Sequence, residues 1–191
     1  SYLRAALVAA AADGLPNLSP LDLALQSGLV TDWRIAGPYG RYRNLAFDQV
    51  WPPERDGLSK PFSGEKAVES FRFEDGNVSL PEYFVRKGVF YSAAEVTVPA
   101  SGQWRVRVES AGTLEVFLDG ERVLTKDDRF RATPETASST VRLSAGAHRL
   151  LVKFLPSGAP FRVALLSEKQ AIVASHGQAT PVEAEAAYLR A

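Results

Sequence analysis

The sequence predicts a mainly β chain, an antiparallel β-sandwich with short helices at both termini, and three observations carry that expectation. Between Gly102 and Leu166 short apolar-alternating runs follow one another closely, a turn signal stands at nearly every junction, and both ends of the chain turn Ala-rich. Alternation decides the matter because successive side chains of a strand point to opposite faces, so apolar residues at every second position share the buried one.

Residues 2–12 carry Leu3, Leu7 and Ala10 or Ala11 at helical spacing, with Gly14 placed to stop the helix. Asn17, Ser19 and Pro20 then supply N-cap and first-turn residues for LDLALQSG, a second helical turn that Gly28 ends. From Thr31 the texture changes: TDWRIAGPYG is a strand running into Gly37-Pro38. Residues 39–65 mix Gly, Pro, Arg and aromatic residues without a sustained period and are expected to form a long loop, a feature that is uncommon in a compact domain and often functional. Strands follow over 68–73 and 90–98, with a turn at Asp75-Gly76-Asn77 between them.

The central stretch then runs through QWRVRVES (103–110), TLEVFL (centred on 114–118), RVLT (122–125), STVRL (139–143), HRLLVKFL (148–155) and FRVALL (161–166). Trp104, Val106 and Val108 share one face and Arg105, Arg107 and Glu109 the other, the half-buried pattern of an antiparallel strand. Asp119-Gly120 between two apolar-alternating arms predicts a two-residue type I′ hairpin, since both of its central residues need positive φ. In HRLLVKFL both Leu150-Val152-Phe154 and Leu151-Leu155 are apolar, so that strand is expected to be central, with a layer on each side. The predicted core is Trp104, Val106, Val108, Leu114, Val116, Leu118, Leu150, Val152, Phe154 and Val163.

After Leu166 the alternation ends, and Thr180-Pro181-Val182-Glu183 has the N-cap, proline and third-position glutamate of a helix start. The resulting division is a helical segment over 1–29, the sandwich over 30–167, and a linker and helix start over 168–191. AYLRA at the end echoes SYLRA at the beginning, and the chain has no Met. The terminal helices are therefore expected to continue into neighbouring domains that hold the sandwich as an insert, with Leu3, Leu7, Tyr188 and Leu189 as docking residues.

Composition narrows the function. Lys plus Arg and Asp plus Glu number 22 each, which removes the basic footprint of a nucleic-acid partner. The absence of Cys excludes disulfides, thiol nucleophiles and thiolate metal sites. With no apolar run of about 18 residues, no membrane insertion is expected. Neither a nucleophile elbow, a phosphate loop, a zinc-binding His pair nor a dinucleotide fingerprint is present, so neither catalysis nor a metal or other cofactor is expected. His148 alternates in phase with Leu150 and Val152 and is assigned to packing or a strand edge, and His176 to a solvated connection. Asp127-Asp128 is an adjacent acid pair, but on an extended backbone the two point to opposite faces, as on a charged hairpin rim.

The binding candidates lie in the long segment: Tyr39, Arg41, Tyr42, Arg43, Asn44 and Trp51, with Phe47, Asp48 and Glu54 among them. Sugars present C–H faces and hydroxyls, so a sugar site needs a flat aromatic ring beside polar groups, and this segment supplies both. The same aromatics also suit a lid folded over the sandwich, a role assigned here to Phe47. Exposure separates the two: Trp51 and Tyr39 open in a concavity mean a sugar site, and buried they mean a scaffold.

The order of elements resembles the jelly rolls of the galactose-binding-domain-like class and, more loosely, PA14-type sandwiches. The resemblance is carried by VTDWRIAGPYG, KGVFYSAAEVTVPASGQWRVRVES, and TLEVFLDGERVL followed by VRLSAGAHRLLVKFL, and it covers about residues 30–166. It implies an accessory module of a larger bacterial protein, periplasmic or extracellular, that binds carbohydrate or acts as a spacer beside helical repeats of the TPR type. PA14-like adhesins hold calcium with two adjacent aspartates, where this chain reads Glu109-Ser110-Ala111-Gly112. The expected function is thus a noncatalytic binding module, with carbohydrate or flanking protein domains as partners. A structural or protein-interaction insert without a small-molecule ligand is the alternative, and a part of a glycoside hydrolase the remote one.

Overall fold

The computed structural model describes residues 19–56, 68–80, 88–129 and 134–167, within which the alternating runs form a six-stranded and a three-stranded sheet. The strands are β1 (Asp32–Tyr39), β2 (Val68–Arg72), β3 (Val89–Val98), β4 (Gly102–Ser110), β5 (Leu114–Leu118), β6 (Glu121–Lys126), β7 (Glu135–Leu143), β8 (Gly146–Phe154) and β9 (Phe161–Ser167). The larger sheet has the order β2-β1-β3-β8-β5-β6 and the smaller β7-β4-β9, and every pairing is antiparallel. The helices are α1 (Pro20–Gln26), α2 (Arg43–Phe47) and α3 (Pro52–Asp56). The predicted helices over 2–12 and from 181, and His176, lie outside the described residues.

Period-two patterning places the core. Trp104, Val106 and Val108 of β4 and Phe161, Val163 and Leu165 of β9 meet Leu114, Val116 and Leu118 of β5 and Leu150, Val152 and Phe154 of β8 in one buried cluster between the sheets. All ten predicted core residues belong to it. Burying such a side chain removes it from water at about 1.5–3 kcal/mol each, which makes this cluster the main source of stability.

Strand β8 is covered on both sides, as its two apolar faces require. Its inner face enters the sandwich core, and its outer face gives Leu151, joined by Leu155 just beyond the strand, to a second cluster with Tyr39, Tyr91, Phe117, Ala46 and Phe47. The covering layer comes from the described part, up to residue 56, of the segment expected to be a long loop. Residues 43–47 and 52–56 instead form the short helices α2 and α3, which hold Ala46, Phe47 and Trp51 against the sheet. A third cluster packs Leu23, Ala24 and Leu29 on Ala164 and Leu166, fixing α1 to the outer side of the small sheet. Ser19 caps α1 with a full capping box to Asp22. Strand β7 begins four residues earlier than the run over 139–143 indicated: its polar start pairs Glu135 with Ser110 and places the small Ala137 opposite Val108.

The Asp119-Gly120 hairpin forms with φ of 51° and 90°, the two positive values a type I′ turn demands. His148 fastens it: the ring lies 2.6 Å from Asp119 Oδ2 through Nδ1 and 2.9 Å from the Ser144 carbonyl through Nε2. Both partners are acceptors, so both ring nitrogens are assigned as donors and the ring as an imidazolium. Its hydrogen bond to Asp119 raises the His148 pKa against the opposing effect of burial, and the His148 and Arg149 contacts bring the Asp119 pKa below the usual carboxylate value despite its own burial.

The pH dependence follows from those directions. A His pKa raised on folding adds stability that is complete below its unfolded value of about 6.5 and is lost as pH rises through the higher folded value. The lowered Asp119 pKa adds stability above about 3.9 that is lost as pH falls. Thermal unfolding of the wild type and of His148→Gln across pH is expected to show the largest wild-type advantage between about 4 and 6.5, shrinking toward alkaline pH. An advantage that does not change with pH would contradict the charged pair.

Candidate functional site

The site is assembled at the end of the sandwich where β5 begins and β8 ends. Strand β1 delivers the chain to Gly40, whose φ of +70° and lack of a side chain let the backbone turn back under the lid. A Cβ there would stand 2.5 Å from the Ala46 Cβ and 3.0 Å from the Trp51 ring, so this position requires glycine for both conformation and space. Residues 41–45 then rise along one wall of an open groove of about 620 Å³.

Arg41, Tyr42, Arg43 and Asn44, four of the six sequence-predicted site residues, all line this groove. Tyr42, the N-cap of α2, and Leu45 within it are 67% and 65% exposed, and the Arg41 guanidinium stands 5.9 Å from the Tyr42 ring centre. Arg43 is half buried, donates from Nη2 to the Pro156 carbonyl at 2.5 Å, and keeps its Nε shielded from solvent without a hydrogen-bond partner among the described residues. Burial pushes its pKa down.

Tyr39 and Trp51 are placed differently. Tyr39 is 7% exposed, edge-on to Tyr91 at 5.4 Å, and burial pushes its pKa up to about 12. Trp51 is half buried with its ring 5.8 Å from that of Tyr39, and its Nε1–H donates to the Ala46 carbonyl at 2.8 Å. These two rings stand beneath the lid and hold it in place, and neither lines the groove. Phe47 is buried in the same cluster, as a lid residue should be.

The opposite wall comes from distant sequence. Thr113, Asp128, Arg129 and Ser157 line it, none of them a sequence-predicted binding residue. Arg129 holds the walls together, giving two hydrogen bonds to Asp48 (2.7 and 2.8 Å) and bonds to both oxygens of Asp127. Those two carboxylates lift its pKa well above the ordinary arginine value. Asp128 pairs with Lys126, and its backbone N–H donates to Thr113 Oγ1 at 2.9 Å. The adjacent aspartates thus face different cations, as the expectation of a charged rim had them. Proximity of Asp48 and Arg129 across 81 positions had no local sequence signal.

Under the lid lies a polar row that the sequence reading passed over. Tyr91, Lys153 and Glu115 are cross-strand neighbours on three adjacent strands, and all point away from the sandwich core. The Lys153 ammonium is buried, donating to the Gln49 carbonyl at 2.8 Å and lying 2.9 Å from Glu54 Oε1, 3.7 Å from Glu115 Oε2 and 5.1 Å from the Phe47 ring centre. Tyr91 donates to the same Glu54 oxygen at 2.5 Å, and burial foremost drives the Tyr91 pKa far above the usual phenol range. A signal for Glu54 was present: Trp51-Pro52-Pro53-Glu54 repeats the cap, proline and third-position glutamate pattern recognised at Thr180, and Glu54 does accept from the Trp51 N–H at 3.3 Å.

Among the described residues no group of three or more His, Asp and Glu side chains is arranged to hold a metal ion, and no helix is long and apolar enough to cross a membrane.

No protein-family model and no curated protein matches the chain. Solved structures that are similar to this chain in part include a β-glucosidase from Kluyveromyces marxianus, 11% identical, with a TM-score of 0.47 over 75% of this chain and 18% of that one. A PA14 sugar-binding domain from an RTX adhesin is 16% identical, with a TM-score of 0.37 over 47% of this chain and 54% of that domain. An anti-sigma factor domain-containing protein is 12% identical, with a TM-score of 0.46 over 78% of this chain and 45% of that one.

Gly40→Ala is expected to lower the free energy of unfolding by about 1–3 kcal/mol, because alanine at this φ is strained and its methyl group meets Ala46. Denaturant unfolding that leaves the stability unchanged would show that the lid does not depend on this close approach.

Proposed function

We propose that this chain is a noncatalytic binding module whose groove beside α2 takes a carbohydrate. The observation that carries the reading is Tyr42, a flat aromatic ring left 67% exposed on a groove whose lining also includes Arg41, Arg43, Asn44, Arg129 and Ser157. An exposed ring offers an apolar face for the C–H surface of a sugar, while Asn44 and Ser157 suit its hydroxyls. The floor and walls are fixed by the Arg129 bridges and by the sheet ends, the arrangement in which loops on a rigid scaffold carry binding. Catalysis is not part of the proposal: glycoside hydrolysis uses two carboxyl groups flanking the bond, whereas Asp128 is the one acid among the described residues lining the groove, and Lys126 already holds it.

A second reading, a spacer or protein-interaction insert between helical segments, has its own support. The two ends of the described sandwich lie side by side, with Leu23 of α1 and Leu166 of β9 in one cluster and the Leu165 N–H donating to the Gly28 carbonyl at 3.0 Å. A chain that enters and leaves at one place can be set into a host without stretching it. The buried Tyr39 and half-buried Trp51 also favour the scaffold on the exposure test. The readings are compatible if residues 1–29 and 168–191 join flanking domains and the groove faces away from them. A bacterial, periplasmic or extracellular setting belongs to the same proposal.

A glycan-array screen with isothermal titration of the hits tests the binding reading. Tyr42→Ala is expected to weaken the best hit at least about tenfold, equivalent to about 1.4 kcal/mol. Val50→Ala, an exposed lid residue that does not line the groove, is expected to leave it unchanged. No binding to any glycan at millimolar concentration, or equal binding by Tyr42→Ala, would leave the spacer reading in its place.

A further inference from the structure

Resting on the carbohydrate reading, we infer that the groove selects an anionic sugar, one whose carboxylate or sulfate oxygens are taken by Arg43 with Arg41 beside it. The argument is a matter of which charges already have partners. On the far wall Arg129 faces Asp48 and Asp127, and Asp128 faces Lys126, so those groups are spoken for. On the near wall neither Arg41 nor Arg43 has a carboxylate within ion-pair distance among the described residues.

For Arg41 that is unremarkable, since it is exposed and water solvates it. Arg43 is another matter. Its guanidinium is half buried under the groove, its Nε is closed off from solvent, and its one hydrogen bond among the described residues goes to the neutral Pro156 carbonyl. A cation withdrawn from water without a counter-charge is costly, and the cost falls when an anion is supplied. A guanidinium also presents its N–H groups in a planar fork that fits two oxygens of one oxyanion, which a lysine ammonium does not.

The lid keeps this group in place. Arg43 opens α2, whose next residues Ala46 and Phe47 are buried against the sheet, and Arg129 ties Asp48 at the end of the helix across the groove. The oxyanion of a bound sugar would therefore meet a positioned group, with little ordering left to do on binding. Tyr42 stands at the adjoining position, so one pyranose can rest on its ring while the acidic substituent reaches Arg43.

The test compares tri-galacturonate, a sulfated galactose trisaccharide, neutral galactotriose and inorganic sulfate by titration calorimetry, at low and at physiological salt. The expected result is that one or both acidic trisaccharides bind at least tenfold more tightly than the neutral one, with an affinity that falls as salt rises. Arg43→Gln is expected to remove that preference, so that the acidic and neutral trisaccharides bind the variant within about twofold of each other. Arg41→Gln, at an exposed position that cannot unfold the chain, is expected to cut the preference severalfold, and Arg43→Lys to restore only part of it. Which acidic sugar wins assigns carboxylate or sulfate. Inorganic sulfate binding as tightly as either acidic sugar would overturn the inference in favour of a simple anion site. Neutral and acidic trisaccharides binding alike would overturn it while leaving the carbohydrate reading intact, and failure of every sugar would overturn both.

Discussion

The buried ammonium of Lys153 is the constraint on which the arrangement of the lid and groove depends. It sits on the central strand of the six-stranded sheet and points out of the sandwich core, where an unpaired charge under an apolar cover would cost several kcal/mol. Glu115 on the next strand and the ring of Phe47 meet part of that need. The remainder is met from the lid, by the Gln49 carbonyl and Glu54, with Tyr91 donating to the same carboxylate. An apolar cover without those acceptors would leave the ammonium cut off from water and short of partners. The polar row and the aromatic cluster around it thus demand the same thing, a folded cover made of residues 40–56.

Placement of the cover sets the groove. Tyr39 and Trp51 support it from below, Gly40 allows the turn into it, and Arg129 ties its far side to the strand ends across a long sequence separation. What is left outside is the exposed part of α2 with Tyr42 and Leu45, and the arginines on either side of Tyr42. Two aromatics that serve the lid thus sit beside a third, Tyr42, that is left exposed at the groove. Pairing of charges behaves in the same way: the groups that hold the walls together are neutralised by one another, and Arg41 and Arg43 are left facing the groove.

The sandwich was largely legible in the sequence because its determinants are local. Alternation in β4, β5, β8 and β9 assigns the buried face residue by residue, and Asp119-Gly120 names its own turn type. Apolar residues on both faces of β8 were enough to require a covering layer, which the second cluster supplies. The cover itself was not legible as structure. Residues 39–56 show no sustained period because α2 and α3 are each a little over one turn long, too short to show one. The candidate site was half legible for a related reason. Arg41, Tyr42, Arg43 and Asn44 are contiguous and chemically suggestive, while Thr113, Asp128, Arg129 and Ser157 join them only through the fold. Tyr39 and Trp51 have the same residue chemistry as Tyr42, and only burial separates them. Lys153 and Glu115 were invisible because their contact depends on the register of two strands, which no local pattern specifies.

Hydrogen exchange on the wild type and Lys153→Met is the most direct test of the claim that this ammonium holds the cover and with it the groove. Methionine keeps the length of the side chain but leaves Glu54 and Glu115 without their shared cation, a loss of about 3–5 kcal/mol when one member of a buried pair is removed. Amides over 43–56 are expected to exchange at least about tenfold faster in the variant, with those of β4, β7 and β9 close to wild type, the pattern of local opening. Equal protection over 43–56 in the two proteins, or a loss of protection spread evenly through both sheets, would contradict the account.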